Sequence, residues 1–182
     1  WDTGLAKYGS RIIKKRRDFI TDLDRISSGI HESISGGREK LSLKYEPDVS
    51  PDTDFYQLLC DSRSDDIRNR TTGHGPHRDD IKISADGIDL RKFGSQGQQR
   101  NAALSLKLSE IKLIEEETGE KPVLLLDDVL SELDNQRQSF LINSLGENQM
   151  FITTADISGK VVEAMPAGKI FRISAGEVEM EI

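Results

Sequence analysis

The alternation of apolar and polar positions divides this sequence into clear elements. Leu5, Ile12, Phe19, Leu23, Ile26 and Ile30 recur at helical spacing, which predicts a helix over residues 5–35. Gly36-Gly37 should stop it. Leu41 to Tyr45 alternates like a half-buried strand, and Pro47 and Pro51 mark the loop behind it. Residues 54–70 predict a second helix with Phe55, Leu58, Leu59 and Ile67 on its apolar face. Thr71 to Pro76 cannot continue a helix, so a boundary is expected near residue 71.

Beyond that boundary the pattern changes. Residues 81–84 and 88–90 flank Asp86-Gly87, a strong hairpin signal. A polar, glycine-bearing turn over residues 93–100 leads into a long helix, with Leu104, Leu108, Ile111 and Ile114 on one face and an end near Gly119. Val123-Leu124-Leu125-Leu126 is a continuous apolar run, the pattern of a parallel strand buried on both faces. Residues 134–145 predict a helix closed by Gly146, and residues 150–154 another apolar strand. These three form a β-α-β crossover, expected to be right-handed. Residues 169–173 and 178–182 predict a closing hairpin around Gly176.

Composition narrows the class. The 182 residues are 35% hydrophobic and 31% charged, as suits one α/β domain with or without an appendage. No apolar run reaches membrane-spanning length, and the single cysteine, Cys60, excludes an internal disulfide and fits a reducing compartment. The net charge of -7 argues against strong DNA binding by this piece alone, although the first forty residues hold a basic cluster. A start at Trp1 rather than Met implies a fragment or a processed product.

Three segments carry candidate chemistry. The apolar run ends in Asp127-Asp128, two carboxylates at the C-terminal edge of a strand, where open α/β sheets bind ligands. Phosphoryl transfer wants one acid there for Mg²⁺ and a second group for the attacking water. Asp127 is the better metal-side candidate and Asp128 the better general base. The plain alternative is a solvated turn. Ser95-Gln96-Gly97-Gln98 offers a capping box, with free N–H groups and a helix dipole aimed at an anion. Taken alone, an ordinary capped helix is the better reading of it. Ser131 to Asp134 reads as a further helix start, with Ser131 as the cap and Asp134 completing a box.

Their order is polar glycine loop, helix, apolar strand with two acids, then Ser-x-x-Asp. Together they resemble the C-terminal half of an ABC-type ATPase head, with Ser95 to Gln98 as signature loop, Asp127 and Asp128 closing the Walker B strand, and Ser131 to Asp134 as D-loop. Gly75-Pro76-His77-Arg78-Asp79-Asp80, residues 93–100 and residues 124–134 are similar to the RecF family, which is related to the SMC and Rad50 heads. The helix over 102–114 and the strand Phe151-Ile152-Thr153-Thr154 carry the same likeness. The fold so implied is an α/β C-terminal lobe of an ABC-type, P-loop NTPase head with a partly parallel sheet. Residues 1–71 would form a helical arm and residues 72–182 the head lobe.

The resemblance implies an ATP-driven homodimer on double-stranded or gapped DNA, assisting recombinase loading with mediator proteins in the cytoplasm. ATP and Mg²⁺ would be its cofactors, with Asp127 on the metal and Ser95 to Gln98 acting in trans. Two departures stand out. The strand ends in Asp-Asp rather than Asp-Glu, which implies slow hydrolysis. The switch histidine is missing, and Thr153, Thr154, Ala155 and Asp156 occupy its place. The pattern G-x-x-x-x-G-K-[ST] does not occur, so this piece alone is expected to be inactive. A non-hydrolysing ABC-like clamp or interaction module on DNA is the rival reading. An SMC-like or Rad50-like head would need longer heptads than this arm has.

Other features are weaker. Lys7, Arg11, Lys14 and Lys15 share a helical face, with Arg16 and Arg17 beside it, and suit DNA phosphates or a solvated surface equally. His77 and Arg78 precede the hairpin and suit a loop-stabilising role at least as well as ligand contact. His31 and His74 lack metal-ligand spacing, Cys60 suits core packing, and Trp1 suits arm packing.

Overall fold

A computed structural model describes residues 1–155 and 168–181. The chain divides into two compact units, Trp1–Leu113 and Ile114–Ile182.

In the first unit, α1 (Asp2–Ser35) runs unbroken until Gly36 and Gly37 take positive φ, 67° and 75°. Its buried face is Gly9, Ile13, Ile20, Leu23, Ile26 and His31. This is a correction to the expected stripe, because Leu5, Ile12 and Phe19 are exposed. The reason is Gly9. The Phe55 ring lies where a Cβ on Gly9 would be, 2.6 Å from that position, so the second helix presses on the glycine side. That helix, α2 (Phe55–Asn69), is capped by Asp54, whose carboxylate accepts the Gln57 N–H at 3.0 Å. Phe55 and Leu59 join Ile13 and Val49 in a core cluster. Ile67, expected on the apolar face, is exposed, and Cys60 is half-buried.

β1 (Leu41–Glu46) pairs antiparallel with β2 (Asp80–Ala85), which turns into β3 (Ile88–Asp89). Asp86 and Gly87 both have positive φ, as a two-residue hairpin demands. Period-two alternation places Leu41, Leu43 and Tyr45 on one face, opposite Ala85, Ile83 and Ile81 in register. Leu43 packs with Ile20 and Leu23 of α1, and Leu41 with Ala85, Leu90 and Ala102. Each buried leucine or isoleucine among these contributes about 1.5–3 kcal/mol on burial. Because β1 and β2 share one sheet, the boundary expected near residue 71 does not coincide with a break in packing.

Asp89 caps a short helix, α3 (Leu90–Phe93), so the strand stops one residue earlier than the hairpin pattern predicts. The long helix α4 (Gln96–Thr118) follows and ends at Gly119, φ 72°. Leu104 and Leu108 are buried as expected, but Ile111 is half-buried and Ile114 exposed.

In the second unit, β4 (Leu124–Asp127) and β5 (Met150–Thr153) pair in parallel, with Leu125 opposite Phe151 and Asp127 opposite Thr153. The strand is not buried on both faces. Leu124 is buried, whereas Leu125 is 76% exposed and Phe151 56%. The described residues cover only one side of this pair, so a continuous apolar run does not here mean two covered faces. Between the strands lies α5 (Asn135–Leu145), with Leu141, Ile142 and Leu145 buried. Gly146 closes it as expected, in right-handed geometry, φ -58°. β6 (Ile170–Ser174) and β7 (Glu177–Glu181) form the predicted antiparallel hairpin around Ala175 and Gly176, both at positive φ.

Candidate functional site

Two separate groups of residues answer to the sequence motifs, one in each unit. The first is the tip of α4. Ser95 Oγ accepts the Gln98 N–H at 3.2 Å, and Gln98 Oε1 accepts the Ser95 N–H at 2.9 Å. This is the reciprocal capping box read from the sequence. It satisfies two backbone donors and leaves Ser95 and Gln96 exposed at the positive end of a helix of 23 residues. Gly97 and Gln98 are half-buried. Just before it, a Cβ on Gly94 would sit 2.6 Å from the Leu90 carbonyl oxygen, so only glycine allows this close approach. Gln99 Nε2 donates to Leu90 O at 2.9 Å and to Gly94 O at 3.3 Å, locking the entry to the tip. Phe93 stands 74% exposed beside it.

The second group lies at the carboxyl end of the parallel pair. Thr153 Oγ1 donates to Asp127 Oδ1 at 2.5 Å and accepts the Asp128 N–H at 3.1 Å. The Thr153 carbonyl also accepts that N–H, at 3.1 Å. Asp128 itself adopts a left-handed backbone, φ 53°, which Asp tolerates better than most residues. Both carboxylates are exposed at the sheet's C-terminal edge, where a ligand can reach them. Of the expected switch residues, Thr153 is thus joined to Asp127, and Thr154 is half-buried behind it. Asp156 lies outside the described residues.

The Ser-x-x-Asp segment is built differently from the capping box expected there. Ser131 does not cap α5. Its hydroxyl donates to the Asp128 carbonyl at 2.8 Å, within a turn of 3-10 helix over Val129–Glu132. Asp134 is the cap instead, accepting the Arg137 N–H at 2.9 Å and pairing with that guanidinium. The cap moves because the backbone turns extended only at Leu133 and Asp134. Ser131 is thereby tied to the acidic loop rather than to the helix.

Arg78 of the Gly75–Asp80 segment is exposed. Its neighbours are structural. Asp79 accepts from Arg16 Nη1 at 2.9 Å, from the Tyr45 hydroxyl and from the Asp48 N–H at 3.1 Å. Its side chain is only 3% exposed. Burial, then the bond to Asp79, pushes the Tyr45 phenol up to about 12. His74 Nδ1 lies 3.2 Å from Asp48 Oδ2, and His77 Nε2 2.8 Å from Thr72 O, so both histidines hold this loop. Arg91 clamps Asp80 with two bonds and holds its carboxyl below the usual range.

Lys7, Arg11, Lys14 and Lys15 are exposed on α1, on the side away from Ile13 and Ile20, and make no ion pair among the described residues. Arg16 is committed to Asp79. Trp1 is fully exposed, not packed. Sequence reading missed one link, from Gln98 Nε2 to Glu39 Oε1 at 3.0 Å, because no local pattern joins a loop residue to one far upstream. Among the described residues, no group of three or more His, Cys, Asp or Glu side chains could hold a metal ion, and no helix is long and apolar enough to cross a membrane.

No family model matches the chain. Single proteins do. The DNA replication and repair protein RecF of Agathobacter rectalis is 51% identical over 180 residues, 99% of this chain and 49% of that protein. The protein of the same name from Clostridioides difficile is 46% identical over 187 residues, 98% of this chain and 50% of its own length. A solved structure of the recombination mediator protein RecF with ATP, in the RecFOR pathway, superposes with a TM-score of 0.84 at 39% identity, covering 100% of this chain and 49% of that one. A second, with ATPrS, gives 0.83 at 40% identity, covering 98% and 49%. The chain spans about half the length of the curated relatives it matches. Along nearly its whole length, in sequence and in fold alike, the chain matches a portion of RecF, about half of that protein.

Proposed function

We propose that this chain supplies the signature loop and the acidic strand of an ATP-dependent, DNA-binding recombination-repair protein. One observation carries the reading: Asp127 and Asp128 end a parallel strand together, and the Thr153 hydroxyl fixes the first carboxylate from the neighbouring strand. Asp128 would then orient the water that attacks a γ-phosphate. In the full-length protein, two copies would close around ATP. The tip of α4 from one copy would present its helix dipole and the Ser95 hydroxyl to the nucleotide held by the other. The Lys-bearing phosphate loop, whose pattern this sequence does not contain, would come from the rest of the protein.

Mg²⁺ fits these residues. It prefers hard oxygen donors, keeps several waters, and takes one or two carboxylates plus substrate phosphates rather than an all-protein cage. Asp127 offers such a carboxylate, exposed and oriented by Thr153, with no three-residue cage among the described residues. When bound, the ion would neutralise charge developing on the phosphates. Asp127 would hold it directly or through water.

By family likeness, a homodimer on double-stranded or gapped DNA would assist recombinase loading, with recombination mediator proteins as partners and slow hydrolysis as the reopening step. Residues 1–71 would act as arm and 72–182 as head lobe. The exposed row Lys7, Arg11, Lys14 and Lys15 would track phosphates. This piece alone would not turn over ATP.

A second reading, a clamp that binds nucleotide without hydrolysing it, draws on the short Asp128 side chain and on threonine in place of a switch histidine. Asp128→Asn in the full-length protein separates the two. Asn tolerates the same left-handed backbone, so the change removes charge without disturbing φ. Lost turnover with retained ATP-dependent dimerisation supports the enzyme; unchanged behaviour supports the clamp.

A further inference from the structure

The tip of α4 is anchored to the interior of its unit by a line of polar side chains. Gln98 spends its amide on two bonds. Its oxygen accepts the Ser95 N–H at 2.9 Å, and its nitrogen donates to Glu39 Oε1 at 3.0 Å. The two bonds use opposite ends of the amide, so each fixes the orientation the other needs. Glu39 lies between α1 and β1, and its second oxygen sits 3.4 Å from His31 Nε2. His31 is completely buried, and its Nδ1 lies 3.0 Å from Ser105 Oγ, one helical stretch below the tip on α4 itself. The Ser105 hydroxyl donates to the Asn101 carbonyl at 2.7 Å, so it meets the ring as an acceptor. His31 Nε2 and Glu39 Oε2 are buried, face each other at 3.4 Å and make no hydrogen bond among the described residues.

Burying such a pair costs desolvation that apolar residues of equal volume would avoid. What the pair holds is therefore informative. A glutamine side chain left free gives up rotamer freedom when it is fixed. Here the ordering is done in advance by Glu39, before any ligand arrives. The expected gain is a pre-set loop, in which Ser95 need not be ordered when it meets its target.

We infer that Glu39 and His31 are positioning residues for the signature loop, holding Gln98 so that Ser95 is pre-organised for the nucleotide of the opposing subunit. The inference rests on the trans role given to Ser95 above. Glu39 touches no nucleotide in this scheme and acts through Gln98.

The test is made in the full-length protein, with dimerisation followed by light scattering against ATP concentration and nucleotide binding to the monomer followed with a fluorescent ATP analogue. Glu39→Met should weaken ATP-dependent dimerisation about tenfold, the size of one lost charge-assisted bond, while monomer nucleotide affinity stays as it was. Gln98→Glu should impair dimerisation equally, since it keeps the acceptor for the Ser95 N–H but sets two carboxylates face to face. The swap Gln98→Glu with Glu39→Gln restores one donor and one acceptor and should recover dimerisation to within about twofold of wild type. A swap that fails to recover overturns the inference. Glu39→Met dimerising normally while Ser95→Arg does not also overturns it, and leaves the trans reading intact. Ser95→Arg dimerising normally overturns that reading and the inference with it. If Glu39→Met does not fold, the swap decides alone, because Gln98 is half-buried at the loop and both partners stay polar.

Discussion

Thr153 donates its hydroxyl hydrogen to Asp127 across the register pair that joins β5 to β4. The same hydroxyl accepts the Asp128 N–H, so one threonine fixes the side chain of the first acid and the backbone of the second. In the full-length protein, Thr153→Val should lower ATP turnover by about tenfold, as expected when an orienting hydrogen bond to a charged group is lost. Nucleotide affinity should change little. Steady-state turnover beside equilibrium binding checks this. Equal loss in both would mean that Thr153 merely supports the sheet.

Two glycines of α1 should respond to alanine with opposite signs. At Gly9 a Cβ would fall 2.6 Å from the buried Phe55 ring and 3.4 Å from Pro76 Cδ. Gly9→Ala should therefore destabilise by about 1–3 kcal/mol through overpacking, despite the better helix propensity of alanine. Gly29 has nothing within 4 Å of that position, so Gly29→Ala should stabilise by up to about 1 kcal/mol. Urea denaturation of each variant measures both.

Tyr45 should make stability fall in alkali. Its phenol is raised from 10.0 to about 12 in the fold, so the folded state favours the protonated form. That contribution is complete below the unfolded value near 10 and is lost as pH rises through the folded value. Tyr45→Phe should be less stable than wild type by about 1 kcal/mol below pH ~10. The gap should narrow as pH climbs toward 12. Denaturation midpoints across that range check the sign.

Neutralising Lys7, Arg11, Lys14 and Lys15 together in the full-length protein should weaken DNA binding alike for all sequences. It should also flatten the plot of log affinity against log salt, by about 0.9 for each phosphate no longer neutralised. An unchanged slope would return these residues to a solvated face.

Much of the architecture was legible because local chemistry decides it. Gly36-Gly37, Asp86-Gly87 and the Ser95–Gln98 box sit where their backbone or side-chain preferences place them. The acid pair was legible as a strand end. What failed depended on partners distant in sequence. The buried face of α1 departs from its apolar stripe because the Phe55 ring packs against Gly9, and Leu125 is exposed because its neighbours cover only one side of the strand. Asp134 rather than Ser131 caps α5 because the loop turns extended later than the pattern suggests. The Glu39–Gln98 bond carried no local signal at all.

The central claim is that Ser95 of one subunit and Asp128 of the other serve a single nucleotide. Mixing full-length Ser95→Ala protein, which removes the hydroxyl without adding bulk at the dimer seam, with full-length Asp128→Asn protein tests it most directly. Each alone should be inactive. Random pairing in a two-fold dimer yields one intact composite site in half of the dimers, so the mixture should recover about a quarter of wild-type turnover. A mixture as inactive as its parts, although the two proteins exchange subunits, would contradict it.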